Sequence, residues 1–118
     1  MFNRQHSTEP PPLGVAEAIR KLAQGQMTII DVRDAAELAV SGTAKGGLHI
    51  PLALIPLKAN ATGADFDTRL DASKPVGVFC AAGGRAGMAV QTLRGLGFQA
   101  HNLGGFSDWA AAGGPVQH

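Results

Sequence analysis

The sequence predicts an α/β fold, a parallel sheet covered by helices on both faces, and three observations carry that expectation. Short apolar runs rich in β-branched residues, Met27 to Val32 and Val76 to Phe79, have the composition of strands buried on both faces. Segments of helical periodicity alternate with such runs along the chain, the pattern of parallel strands joined by right-handed crossovers. With 118 residues, 45% of them hydrophobic, the chain has the size and apolar content of one compact core.

Residues Met1 to Leu13 contain Pro10-Pro11-Pro12 and no apolar period, which predicts an extended, flexible lead-in before one domain spanning residues 14–118. Val15, Ala18, Ile19 and Leu22 then fall on one helical face, and Gly25 follows as a stop. After the strand at Met27 to Val32, Asp34 and Glu37 stand three apart in a capping-box pattern, predicting a short helix to Val40 that Ser41 and Gly42 end. Leu48 to Ile50 reads as a second strand closed by Pro51, and Pro56 to Lys74 as loop with one helical turn near Phe66 to Leu70. Beyond the third strand, Ala86, Ala89, Val90, Leu93 and Leu96 make an apolar stripe on a helix from about Arg85 to Leu96, capped by Gly97. Gln99 to Leu103 is a fourth strand, Gly104-Gly105 a turn, and Phe106 to Ala112 a last short helix whose Trp109 packs it onto the sheet.

Ten Lys and Arg against nine Asp and Glu give a formal charge of +1, so no broad basic field draws nucleic acid or an anionic membrane. No apolar run approaches the ~20 residues needed to cross a bilayer. The N-terminal stretch is polar and proline-rich where a signal peptide would be apolar, and the expectation is a cytoplasmic protein. Cys80 is the only cysteine, which excludes an intramolecular disulfide and a thiolate metal cluster within one chain. His6, His101 and His118 lack metal-ligand spacing with one another or with Cys80, so neither metal nor cofactor is expected. Cys80 is therefore either a buried small hydrophobe or chemically employed.

Its position favours employment. Cys80 ends the strongest predicted strand, and open α/β sheets bind ligands outside the carboxyl ends of their strands. In Ala81-Ala82-Gly83-Gly84-Arg85 the two adjacent glycines allow consecutive amides to turn toward one point, where the sulfur would sit. The helix that follows aims its unsatisfied N–H groups and dipole at the same place, and Arg85 adds a full charge. Such surroundings lower a thiol pKa from about 8.5 toward neutrality, making Cys80 a nucleophile without a histidine base.

These residues resemble the rhodanese family, whose active-site loop has the form Cys-x-x-Gly-x-Arg, here Cys80-Ala81-Ala82-Gly83-Gly84-Arg85. Ile30-Asp31-Val32-Arg33 with Glu37 resembles the family's Asp-Val-Arg signature, and Gly47-Leu48-His49-Ile50-Pro51-Leu52 its Gly-Ala-x-x-Ile-Pro stretch. Leu103-Gly104-Gly105 with Trp109, Gly113, Pro115 and Val116 resembles its ending, and the four motifs together cover about residues 15–116. The resemblance implies a three-layer α/β fold with a parallel sheet of about five strands. It implies a sulfurtransferase in which Cys80 takes sulfane sulfur as a persulfide from thiosulfate or from a low-molecular-weight or protein persulfide. The sulfur then passes to a thiophilic acceptor.

In that assignment Cys80 is the nucleophile, and the amides of Ala81, Ala82, Gly83, Gly84, Arg85 and Ala86 stabilise the persulfide anion. The side chain of Arg85 holds the loop or greets an anionic donor, while Asp31 and Arg33 form a structural ion pair or hydrogen-bond to loops near the site. Relatives that favour thiosulfate often carry arginine after the cysteine and serine or threonine after the loop arginine, where this chain has Ala81 and Ala86, so no thiosulfate preference is implied. Gly42 is followed by Thr43-Ala44-Lys45 instead of the family's Gly-His-Ile, and His49 reads as a strand-end residue instead of a substitute catalyst. Two rival readings are a non-catalytic binding module of the same fold, which has no need of Cys80 and Arg85, and a phosphatase or arsenate reductase of related fold. The latter places five residues between cysteine and arginine; four intervene here, a tighter pocket suited to one sulfur atom.

Overall fold

The computed structural model describes residues 13–118. The expected flexible lead-in lies outside the described residues except for Leu13, which packs against the core beside Val15 and Ile19. Four parallel strands, β1 (Thr28–Asp31), β3 (Leu48–His49), β4 (Val76–Cys80) and β5 (Ala100–Gly105), form one sheet in the order β3-β1-β4-β5. Helix α1 is Val15–Ala23, α2 is Ala35–Ser41, α3 is Ile55–Lys58, α4 is Gly84–Gly95 and α5 is Phe106–Ala111. Two further short strands, β2 (Thr43–Ala44) and β6 (Val116–Gln117), pair antiparallel with each other.

The expected three layers are present, because successive strand side chains point to opposite faces and each face is apolar. On one side Ile30, Val32, Val76, Val78 and Cys80 pack with Ile55 of α3 and with Ala86, Ala89, Val90 and Leu93 of α4. On the other, Ile29, Phe79 and Leu103 meet Ala18 of α1 and Trp109 of α5. Trp109 is a core residue: its indole stacks on Phe79 at 5.9 Å and its Nε1–H donates to the Pro115 carbonyl at 2.9 Å. Every residue of β4 is buried, as its unbroken apolar run predicts.

Several expectations are corrected. The predicted helical turn near Phe66 to Leu70 is absent; Asp67 accepts the Arg69 N–H through its side chain and the Leu70 N–H through its carbonyl, and those two bonds make a tight turn. Helical structure occurs earlier, as a 3₁₀ turn at Leu52–Leu54 running into α3, because Pro56 lies in the first turn of α3, where its missing N–H is no loss. Leu96 does not continue the buried stripe of α4, since it follows the last helical residue and is partly exposed. Gly104 and Gly105 belong to β5 instead of forming a turn after it.

Candidate active site

The site lies where β4 ends and α4 begins. Cys80 is the last residue of β4, and its side chain points to the α4 face, in the cluster that holds Val78 and Ala86. Between Val78 and Cys80 the register with β5 shifts, so that Val78 pairs with Asn102 while Cys80 pairs with Gly105. An extra residue is thereby accommodated in β5, an irregularity of the kind that redirects side chains beside functional sites.

Cys80 is 1% exposed, yet its sulfur is not left among apolar atoms alone. The Gly83 N–H donates to Sγ at 2.9 Å and the Ala86 N–H at 3.3 Å. Burial is the strongest single influence on the thiol and pushes its pKa up. The backbone N–H groups of Ala86, Ala82, Gly83 and Arg85 together outweigh it and bring the value below the ordinary 9.0. Of the six amides expected around the sulfur, those of Gly83 and Ala86 hydrogen-bond Sγ and those of Ala82 and Arg85 add to the stabilisation of its charge, while among the described residues no hydrogen bond joins the Ala81 or Gly84 N–H to Sγ. The chain turns from the loop into α4 at Gly83, its N-cap, whose φ of +101° lies in the left-handed region that glycine adopts without steric cost.

Arg85, in the first turn of α4, braces the loop from outside. Its two terminal nitrogens donate to Glu37 Oε1 at 2.7 Å and Oε2 at 2.9 Å, a bidentate pair joining α4 to α2. The Glu37 carboxylate also accepts the Asp34 N–H at the start of α2, and its hydrogen bonds to Arg85 and Asp34 hold its pKa down to about 2. Of the two uses expected for Arg85, holding the loop is the one its contacts serve.

Asp31 and Arg33 form the expected ion pair, buried at the end of β1. Arg33 Nε donates to Asp31 Oδ1 at 3.0 Å and its terminal nitrogens to Asp31 Oδ2 at 2.8 Å, Ser41 Oγ at 2.9 Å and the Gly42 carbonyl at 2.8 Å. The guanidinium lies 4.5 Å over the Phe106 ring, and the Thr43 hydroxyl donates to Asp31 Oδ2 at 2.7 Å. This network ties β1 to the end of α2 and to β2, and so fixes the helix that presents Glu37 to Arg85. His49 ends β3 with its ring nitrogen 2.7 Å from the Arg33 carbonyl, a strand-end contact as expected.

Sequence reasoning missed Asn102. Its side-chain amide donates to the Gly83 carbonyl at 3.0 Å and its side-chain oxygen accepts the Gly104 N–H at 2.8 Å, so one side chain bridges the irregularity in β5 and the cap of α4. Asparagine two residues before a glycine is a turn signal that could have marked it. Gly105 was also overlooked as a site residue: a Cβ there would run into the carbonyl of Ala81, so the strand and the loop touch backbone to backbone.

The sequence matches the family model of the Rhodanese-like domain over residues 14–112. The fold superposes on a Rhodopseudomonas palustris protein of unknown function described as a possible tyrosine phosphatase, with a TM-score of 0.78, 27% identity and coverage of 90% of this chain and 83% of that one. The human single-domain sulfurtransferase gives 0.73 at 28% identity, covering 86% and 96%. The rhodanese-like domain of an Anabaena protein gives 0.72 at 28%, covering 92% and 79%.

Proposed function

Because this chain belongs to the family of rhodanese-like domains, we propose that it is a sulfurtransferase carrying sulfane sulfur as a persulfide on Cys80. The reading rests on one observation above all, the pair of backbone N–H groups, from Gly83 and Ala86, aimed at Sγ. Donors held in place before reaction stabilise negative charge without reorganising, and removing one such donor from an enzyme typically costs about 10²–10³ in rate. The thiolate attacks the transferable sulfur of a donor; one S–S bond forms on Cys80 as the donor's own bond to that sulfur breaks, and the electron pair leaves with the donor remnant. The terminal persulfide sulfur, extended from Sγ, then meets the same N–H groups and the N-terminal dipole of α4. Attack by a thiophilic acceptor on that outer sulfur returns the Cys80 thiolate. Asp31 and Arg33 take no part in the sulfur chemistry and set the position of α2.

The phosphatase description attached to the Rhodopseudomonas relative is not favoured for this chain. An oxyanion clamp needs a free guanidinium, and Arg85 is held at both terminal nitrogens by Glu37. A binding module without chemistry would have no use for a sulfur so surrounded by donors.

Intact mass after incubation with a sulfane donor tests the proposal. The expected gain is one sulfur atom, about 32 Da, reversed by cyanide as a convenient acceptor, with no gain in Cys80→Ser. An unchanged mass across a panel of donors, or phosphate-ester hydrolysis lost in Cys80→Ser, would overturn it.

A further inference from the structure

The Gly83 N–H at Sγ comes from a segment with little rigidity of its own. Gly83 and Gly84 have no side chains to limit their torsions, and the space where Gly84 would carry a Cβ is open. The direction of the Gly83 N–H therefore depends on what holds the rest of that residue, and its carbonyl has two partners. One is local, the Gly87 N–H, which donates to it at 2.9 Å in the first turn of α4. The other comes from the neighbouring strand. The Asn102 side-chain amide donates to the same oxygen at 3.0 Å across 19 positions, and its side-chain oxygen accepts the Gly104 N–H at 2.8 Å. A backbone carbonyl only accepts and an N–H only donates, so these two partners fix which way the amide points. Gly104 leads into Gly105, which stands opposite Cys80 in the sheet. The result is a closed circuit, from Cys80 to Gly83 through Sγ, from Gly83 to Asn102 through the carbonyl, on to Gly104, and from Gly105 back to Cys80 by strand pairing.

Resting on the reading of Cys80 as a sulfur carrier, we infer that Asn102 is a positioning residue for that chemistry: by tying the Gly83 carbonyl to the end of β5, it keeps the Gly83 N–H aimed at Sγ and at the charge that develops there. Its effect reaches the sulfur through the Gly83 backbone. Asn102 is exposed and both of its bonds lie at the surface, so its replacement leaves no buried group unpaired, and the Gly83 carbonyl retains the Gly87 N–H. The fold keeps its stability while the sulfur loses an aligned donor.

The test compares the full chain as wild type, Asn102→Ala and Asn102→Ser. Serine retains a short acceptor for the Gly104 N–H but does not extend far enough to donate to the Gly83 carbonyl, so it separates the turn bond from the loop bond. Urea midpoints should be nearly unchanged. Loading of Cys80 by N-acetylcysteine hydropersulfide, read by intact mass, should be about tenfold slower in both variants, less than the full loss of one preorganised donor. Alkylation by a neutral haloacetamide, which needs no sulfur donor, should show its pH midpoint moved upward in both, with the rate at a fixed pH beneath that midpoint about threefold lower. Wild-type loading and alkylation in Asn102→Ala, whether or not stability falls, or recovery of both in Asn102→Ser, would overturn the inference. Failure of this hydropersulfide and of thiosulfate to load the wild-type protein would instead refute the sulfurtransferase reading, and the alkylation midpoints would still decide the role of Asn102.

Discussion

Asp31→Ala is expected to lower the unfolding free energy by about 3–5 kcal/mol, because it leaves the Arg33 guanidinium buried without its counter-charge. Asp31 is 1% exposed and Arg33 4%, and Arg33 cannot escape to water without dismantling its bonds to Ser41 and Gly42 and its contact with Phe106. A domain with the usual 5–15 kcal/mol of stability would be brought near its unfolding threshold. Urea denaturation measures the loss. Asp31→Ala combined with Arg33→Met should lose less than the sum of the single changes, since the double variant leaves no orphaned charge. A cost below about 1 kcal/mol for Asp31→Ala, in the range of exposed pairs, would mean that the pair is solvated and does not anchor α2.

Gly105→Ala is expected to leave the sheet folded and to slow persulfide formation by about a hundredfold, the effect of losing one preorganised donor. Its Cβ would collide with the backbone of Ala81 and press on Ala82, neither of which can yield as a flexible side chain would. Gly105 is held in register opposite Cys80 and by Asp108, so the loop must give way, and the Gly83 and Ala86 N–H groups lose their aim at Sγ. Circular dichroism with a loading assay separates this outcome from unfolding. Loading at the wild-type rate by a folded Gly105→Ala protein would show that the loop tolerates displacement and that its amides are not the source of reactivity.

The layered sheet and the Cys80 loop were legible because both are written in local patterns. The β-branched apolar runs at Met27 to Val32 and Val76 to Phe79 have the composition of strands buried on both faces, and Gly83-Gly84 beside Cys80 gives the backbone freedom to turn from a strand into a helix. What stayed hidden depends on residues far apart in sequence. Glu37 is legible as a helix cap, but its bond to Arg85 crosses 48 positions and arises only when β1 and β4 pair. Asn102 and Gly105 acquire their roles from the shifted register between β4 and β5, which no periodicity records. The pairing of β2 with β6 joins two-residue strands far apart in sequence, too short to show alternation.

Titration of Cys80 tests the central claim most directly, and as the only cysteine it gives an unmixed signal. The hydrogen bonds at Sγ favour the charged form in the folded protein, so its thiolate should persist below the ordinary thiol value of 9.0. The alkylation rate of Cys80 by a neutral haloacetamide should therefore follow a titration with its midpoint below 9.0, dropping about tenfold per unit well beneath that midpoint. A midpoint at or above 9.0, where burial alone would place it, would contradict the account.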